Sequence, residues 1–225
     1  SKIKYNHAVK RVVTSSGEVE VHLSSQRDNH TIKGAKIVFA IPTTILKNIK
    51  VNPKFSKEKS HCIQNQSYGH VMKIAMQFQQ RFWDSNNSIG QRVFTDTPLR
   101  RVYHFSIDQP GPRGILLSFT SGSDARKLGD LSEKNRMKIS KQSCENIWND
   151  SNNFWENGIS KYWNEDKWIK ASYSLKGVGQ KGYRDILAKT EKAFYFAGEH
   201  TAINYASMNG AIESGIRVSN EIKMT

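Results

Sequence analysis

Apolar positions near the start of the chain recur at every second residue, and further along they give way more than once to spacings of three and four. Val9, Val12 and Val13 precede a Ser-Ser-Gly turn at residues 15–17, and Val19, Val21 and Leu23 follow it. The stretch from Ile3 to Leu23 therefore predicts a β-hairpin. Residues 32–41, with the apolar centre KIVFAI, predict a buried strand that Pro42 closes ahead of a short helical turn through Leu46. Ser56 then fits the N-cap of a polar helical stretch running to Gln64. Strict alternation returns between Tyr68 and Phe78. Met72, Ile74, Met76 and Phe78 share one face of that strand, while Val71, Lys73, Ala75 and Gln77 share the other. Lys73 is the lone charge in its middle.

Three more strands, over residues 92–95, 101–107 and 114–120, are separated by turns bearing Pro and Gly, which makes the middle of the chain a mostly antiparallel sheet. A helix from Ser132 to Trp148 follows, capped by Ser132, with Met137, Ser140, Cys144, Ile147 and Trp148 along one stripe. Near the C-terminus the apolar run from Ala193 to Ala197 stops at Gly198 and Glu199, as a buried parallel strand does. Beyond it Met208, Ala211, Ile212, Gly215, Ile216, Ser219 and Ile222 fall on one side of a helix, and Asn209, Glu213, Arg217 and Glu221 on the other. A strand, an acidic turn and a helix in that order aim the free N–H groups of the helix beyond the carboxyl edge of the strand, where open α/β sheets bind ligands.

Composition narrows the class without naming a chemistry. The chain has 225 residues, enough for one sizeable domain or two small ones, and 37% hydrophobic with 10% aromatic residues excludes wholesale disorder. No apolar run reaches the roughly 20 residues of a bilayer span, and residues 1–10 hold no signal-peptide core, so no membrane partner is expected and a cytoplasmic protein is favoured over a secreted one. Cys62 and Cys144 stand far apart outside any C-x-x-C spacing, which offers neither a redox motif nor a metal site. The net charge of +14, from 34 basic and 20 acidic residues, raises nucleic acid as a partner. The basic residues are spread without a run of five or six and no nucleic-acid module is recognisable, so a solvated basic surface, or one facing an acidic partner segment, is the better reading.

The segment FAGEHTA at residues 196–202, followed by MNGAIESGIRVSNEI at 208–222, resembles the C-terminal signature of the flavin-containing amine oxidases, which include L-amino-acid, monoamine and polyamine oxidases. The resemblance implies FAD as cofactor, with Gly198 and Glu199 near its ribityl and pyrophosphate part, the Met208 backbone on the flavin pyrimidine edge and the Val9 backbone at the adenine. Read from the residues alone, Val9 is equally a core valine. Lys73 followed by Phe82 and Trp83 is similar to a family strand whose lysine holds a water near flavin N5, which implies a catalytic role where reduced flavin meets oxygen. Read by itself, a lysine in such a strand marks an edge or a solvated face.

KYWNEDKWIKASYS at residues 161–174 is similar to the family's tryptophan and acidic-turn segment. It implies Trp163 beside the isoalloxazine and Tyr173 as a wall of the substrate cavity, with Ala206 and Ser207 also facing the substrate. Two positions depart from the pattern. Ser207 stands where many relatives have an aromatic residue, and Phe119, where some L-amino-acid oxidases have a carboxylate-binding tyrosine, lacks the hydroxyl. GVGQKG at residues 177–182 satisfies G-x-G-x-x-G, but the preceding ASYSL alternates instead of forming the apolar run of a central parallel strand, so the match reads as coincidence.

The family begins with a strand and a glycine-rich turn that cradle the FAD pyrophosphate, and nothing before Ile3 matches them. The expected fold is α/β of a mixed α+β kind: a partial FAD-binding domain from residues 1–55 and 161–225, and a substrate-binding domain over 56–160 with a mostly antiparallel sheet flanked by helices. The resemblance implies the C-terminal part of an FAD-dependent amine oxidase that takes an L-amino acid in preference to a simple amine and yields an imino or oxo product with hydrogen peroxide. Such a part is expected to be inactive alone. Its strands near Val9, Val38 and Phe194 are expected to expose edges and apolar faces, covered by the missing N-terminal half, a partner chain or a second copy. Two other readings compete: a non-catalytic basic module binding nucleic acid or an acidic protein, and a flavoprotein similar to protoporphyrinogen oxidase or the desaturases.

Overall fold

The computed structural model describes residues 3–24, 29–85 and 92–225, and the chain divides into two units, residues 1–68 with 168–225, and residues 69–167. In the first unit β1 (Ala8–Ser15) and β2 (Glu18–Ser24) form the expected hairpin. Ser16 and Gly17 both take left-handed φ, 52° and 85°, the two-residue turn whose twist matches that of the flanking strands. The strand expected over residues 32–41 is instead two. β3 (Asn29–Gly34) pairs with β2 as an edge strand, and β4 (Ile37–Phe39) joins a different sheet. β3 is exposed along most of its length, Ile32 included, and the chain redirects after Gly34. α1 (Thr43–Leu46) follows Pro42, and β5 (Lys50–Asn52) pairs parallel with β1 to complete a four-stranded sheet in the order β3-β2-β1-β5. Ser56 caps α2 (Lys57–Asn65), its hydroxyl accepting from the Lys59 amide at 3.2 Å.

The unit of residues 69–167 is built on five antiparallel strands. β6 (Val71–Phe78), β7 (Arg92–Phe94), β8 (Arg101–His104), β9 (Gly114–Ser121) and, beyond two helices, β10 (Trp155–Tyr162) stand in the order β10-β6-β9-β8-β7. Met72, Ile74, Met76 and Phe78 are wholly buried and share a core with Val102, Leu116, Leu128, Cys144 and Trp148. The helices α3 (Gly122–Gly129) and α4 (Glu133–Ile147) pack against the sheet on β6, β9 and β10, and Ser132 caps α4 as expected. Residues 122–129 carry too few apolar positions to announce α3. Arg136, buried on α4, closes the C-terminal end of α3 by donating to the Leu128 and Gly129 carbonyls at 2.9 and 2.5 Å, and pairs with Glu165 at 2.7 Å. Period-two geometry then sends Lys73, Ala75 and Gln77 to the opposite face of the sheet.

The chain returns to the first unit through α5 (Tyr183–Ala188), β11 (Phe194–Phe196) and α6 (Met208–Lys223). β11 is buried and pairs parallel with β4 as a two-stranded sheet, and Val12, Phe39, Ile63, Leu187, Phe194 and Phe196 pack together. Val38 is exposed, Val9 half-buried and Phe194 buried. α6 turns inward on Gly210, Ser214 and Val218, while Met208, Ile212 and Ile216 on its apolar side are 85%, 64% and 59% exposed. Close approach decides this rotation. A Cβ at position 210 would lie 2.0 Å from the Asn204 carbonyl oxygen, and Arg217 donates to the Phe196 carbonyl at 2.6 Å. Cys62 and Cys144 are buried free thiols. Among the described residues no helix is long and apolar enough to cross a membrane, and no cluster of His, Cys, Asp and Glu is arranged to hold a metal.

Candidate functional site

In the first unit the predicted residues gather where β11 runs into α6. Gly198 holds φ of 125°, a conformation for glycine, and a Cβ there would strike the His200 ring at 2.5 Å. The Gly198 amide donates to Ser214 Oγ at 2.8 Å, which anchors the turn to α6. The Glu199 carboxylate is shared out within the protein: Oε1 accepts from the Ser174 amide at 2.9 Å, and Oε2 from Ser174 Oγ and the Ala206 amide, both at 2.7 Å. Ala206 is thereby held at φ 59°, a left-handed conformation that an alanine adopts at a cost. Glu213 accepts from the Ile203 amide at 2.9 Å, and backbone donors hold its carboxyl below the usual range. His200 is buried in this turn, and burial pushes its pKa down to about 4 against the opposing pull of Glu199.

Ser207 is the N-cap of α6. Its hydroxyl accepts from the Gly210 amide at 3.0 Å and its carbonyl from the Ala211 amide at 3.1 Å, so the amides left open at the helix start are those of Met208 and Asn209. One junction thus brings together Gly198, Glu199, Ala206, Ser207 and Met208, with Tyr173 adjacent through Ser174. Val9 lies apart from the junction, on β1, packed against the core that contains Val12 and Phe39.

In the second unit Lys73 lies on the sheet face turned away from the core. The strand register sets Lys161, Lys73, Phe119, Arg101 and Phe94 side by side across β10, β6, β9, β8 and β7. Lys73 Nζ stands 3.7 Å from the centre of the Phe119 ring, and the Arg101 guanidinium carbon 4.5 Å from the same centre. Burial, with a further push from Arg101, lowers the Lys73 pKa from its ordinary value. Trp163, in a short 3-10 turn after β10, meets the row through Lys161, whose ammonium sits 5.1 Å from the indole and 2.7 Å from Asp166.

Ser174 and Arg101 are the residues that sequence reasoning missed. Arg101 and Phe119 stand on different strands, β8 and β9, and only the fold brings them to one ring. Ser174 is an ordinary serine until the fold sets it against Glu199. GVGQKG forms turns ahead of the short α5, and before it stands an isolated antiparallel bridge from Ser174 to Tyr68 in place of a parallel strand.

Residues 1–223 match the family model of the flavin containing amine oxidoreductases. The chain is 25% identical over 236 residues to the flavin-dependent L-tryptophan oxidase RebO of Lentzea aerocolonigenes, covering 98% of this chain and 48% of that protein. It is 28% identical over 227 residues to an L-amino-acid oxidase of Siganus canaliculatus, covering 98% of this chain and 43% of the relative. A solved structure of putrescine oxidase bound to putrescine superimposes with a TM-score of 0.85 at 19% identity, over 98% of this chain and 49% of that one, a likeness of fold. The chain spans about half the length of the curated relatives it matches. With that family match over nearly all of its residues, the chain belongs to the flavin-containing amine oxidoreductases.

Proposed function

We propose that these residues form the C-terminal part of an FAD-dependent oxidase that takes an L-amino acid in preference to a simple amine. The observation that carries the reading is Lys73: a half-buried ammonium in the second strand of the sheet, with no ion-pair partner among the described residues and a lowered pKa. A lysine structural in role is ordinarily paired or fully solvated. Here it is free to hold a water by its N–H groups and to offset negative charge formed close by.

The β11–α6 junction fits a dinucleotide. A turn bared by Gly198 admits close approach, and the open amides of Met208 and Asn209 at a helix start suit an electron-rich edge or an anion. Because the Glu199 carboxylate is engaged by Ser174 and Ala206, its part is to hold the turn in shape and to offer backbone. Val9 and Trp163 complete the proposed FAD contacts, and Tyr173, Ala206 and Ser207 border the substrate. When bound, FAD supplies the two-electron oxidation and its reoxidation by oxygen to hydrogen peroxide.

The dinucleotide-binding unit belongs in this proposal to sequence other than these 225 residues. The two-stranded parallel sheet of β4 and β11, exposed Val38 and the outward apolar side of α6 support it, because parallel sheets are ordinarily larger and covered on both faces. That unit, whether the N-terminal half of the same chain or a partner chain, covers them, and pairing with a second copy through the exposed sheet edges is the other arrangement that would do so. The test is an aerobic assay of the whole protein with L-amino acids and their decarboxylated amines, scored for hydrogen peroxide and ammonia. Product from amino acids, and none from residues 1–225 alone, is expected. A whole protein that binds FAD and releases no peroxide from either class would end the reading.

A further inference from the structure

We propose that the cavity between the GVGQKG turns and the loop joining β11 to α6 is a ligand site that takes a phosphate monoester bearing an apolar or aromatic body. The cavity measures about 460 Å³ and lies wholly within the first unit. His200 lines it together with Gly179, Gly182, Tyr183 and Tyr205, and none of the residues assigned above to FAD or substrate does so. Its occupant is therefore independent of which amine or amino acid is oxidised. The group that points to a ligand is His200, which is 8% exposed and makes no side-chain hydrogen bond among the described residues. A Cβ on Gly198 would meet the Cε1–Nδ1 edge of the ring at 2.5 and 2.8 Å and Nε2 only at 3.6 Å, so Nε2 is the nitrogen turned away from that turn. A buried polar ring without a partner is costly unless something outside the chain satisfies it. Held neutral by burial, the imidazole keeps one N–H to donate.

The remaining lining favours an anion with several oxygens. Arg184 is paired with Asp185, the acid of this cavity, whereas Lys176 and Lys181 have no carboxylate partner among the described residues. Lys176 Nζ sits 4.5 Å from the centre of the Tyr205 ring. The amides of Gly179, Lys181 and Gly182 also lack an acceptor among the described residues. Two ammonium groups, three open amides and an imidazole N–H exceed what the two oxygens of a carboxylate take up, and suit the terminal oxygens of a phosphate ester. Inorganic phosphate alone would leave most of the volume empty, and Leu175, Ala202, Tyr183 and Tyr205 supply apolar surface for an attached body. The glycines of GVGQKG act here by forming turns with open amides, at φ of 75° for Gly179 and 85° for Gly182, and no parallel strand leads into them.

The experiment titrates the whole flavoprotein, saturated with FAD, with phenyl phosphate, inorganic phosphate and phenol in a calorimeter. Phenyl phosphate is expected to bind once per chain, about tenfold or more tighter than either of the others. The double variant Lys176→Gln and Lys181→Gln, at two exposed positions, is expected to weaken it about tenfold or more. Proton NMR of the histidine rings then places the ligand: the Cε1–H resonance that His200→Gln removes is expected to shift when phenyl phosphate is added. No binding, which is the result if the rest of the protein fills the cavity, would overturn the proposal. So would binding indifferent to the lysine pair, phenol binding as tightly as phenyl phosphate, or an unmoved His200 resonance. Where His200→Gln does not fold, the calorimetric comparison decides alone.

Discussion

Glu199 and Lys73 show how differently two charged residues of one family signature behave once folded. Glu199 spends both oxygens on three donors, so Glu199→Gln sets an amide N–H₂ against at least one of them. A loss of about 1–3 kcal/mol is expected, read as a lowered denaturation midpoint of the whole protein. Ala206 sits at φ 59° under the same carboxylate, and Ala206→Gly is expected to hold or raise that midpoint by up to about 1 kcal/mol, since glycine adopts the conformation without strain. Lys73 spends nothing on a carboxylate. Lys73→Met in the whole enzyme is expected to slow reoxidation of reduced flavin by oxygen about tenfold or more while substrate still reduces the flavin, which stopped-flow absorbance resolves. The alternation that singled out Lys73 was legible in the sequence because a strand has period two. Its companions on the Phe119 ring were not, because register between separate strands leaves no mark in local pattern.

At the scale of elements, the hairpin, the antiparallel sheet and α2, α4 and α6 follow from periodicity and caps, each with a serine at the predicted N-cap position for α2 and α4. The single strand over residues 32–41 did not survive, and α3 was invisible, since its burial rests on Ala125 and Leu128 and on an arginine supplied by α4. The rotation of α6 is the most instructive case. Met208, Ile212 and Ile216 point outward because Gly210, Ser214 and Arg217 are claimed by the backbone around β11, so that apolar side is left for another surface. Ile216→Lys tests this in the whole protein. A lone solvated position would tolerate the change within about 0.5 kcal/mol, whereas a covered one loses thermal stability and retains flavin less well on gel filtration. The latter is expected.

For the whole molecule, the buried imidazole of His200 sets a pH dependence. Its folded pKa of about 4 lies below the ordinary 6.5, so the unfolded chain binds the extra proton between those values. Stability from this group is complete above pH 6.5 and is lost as pH falls toward 4, by about 3 kcal/mol in all. Urea midpoints at pH 7 and pH 5 check the sign, and the difference is expected to shrink in His200→Gln. The central claim, that this fold serves the oxidation of amino acids by bound FAD, is met most directly by the visible spectrum of the whole protein under anaerobic conditions. A flavin band between about 350 and 500 nm that bleaches on addition of an L-amino acid, and returns when air is admitted, is the predicted result. A protein that carries the flavin band and keeps it unchanged through L-amino acids and amines alike would contradict the account.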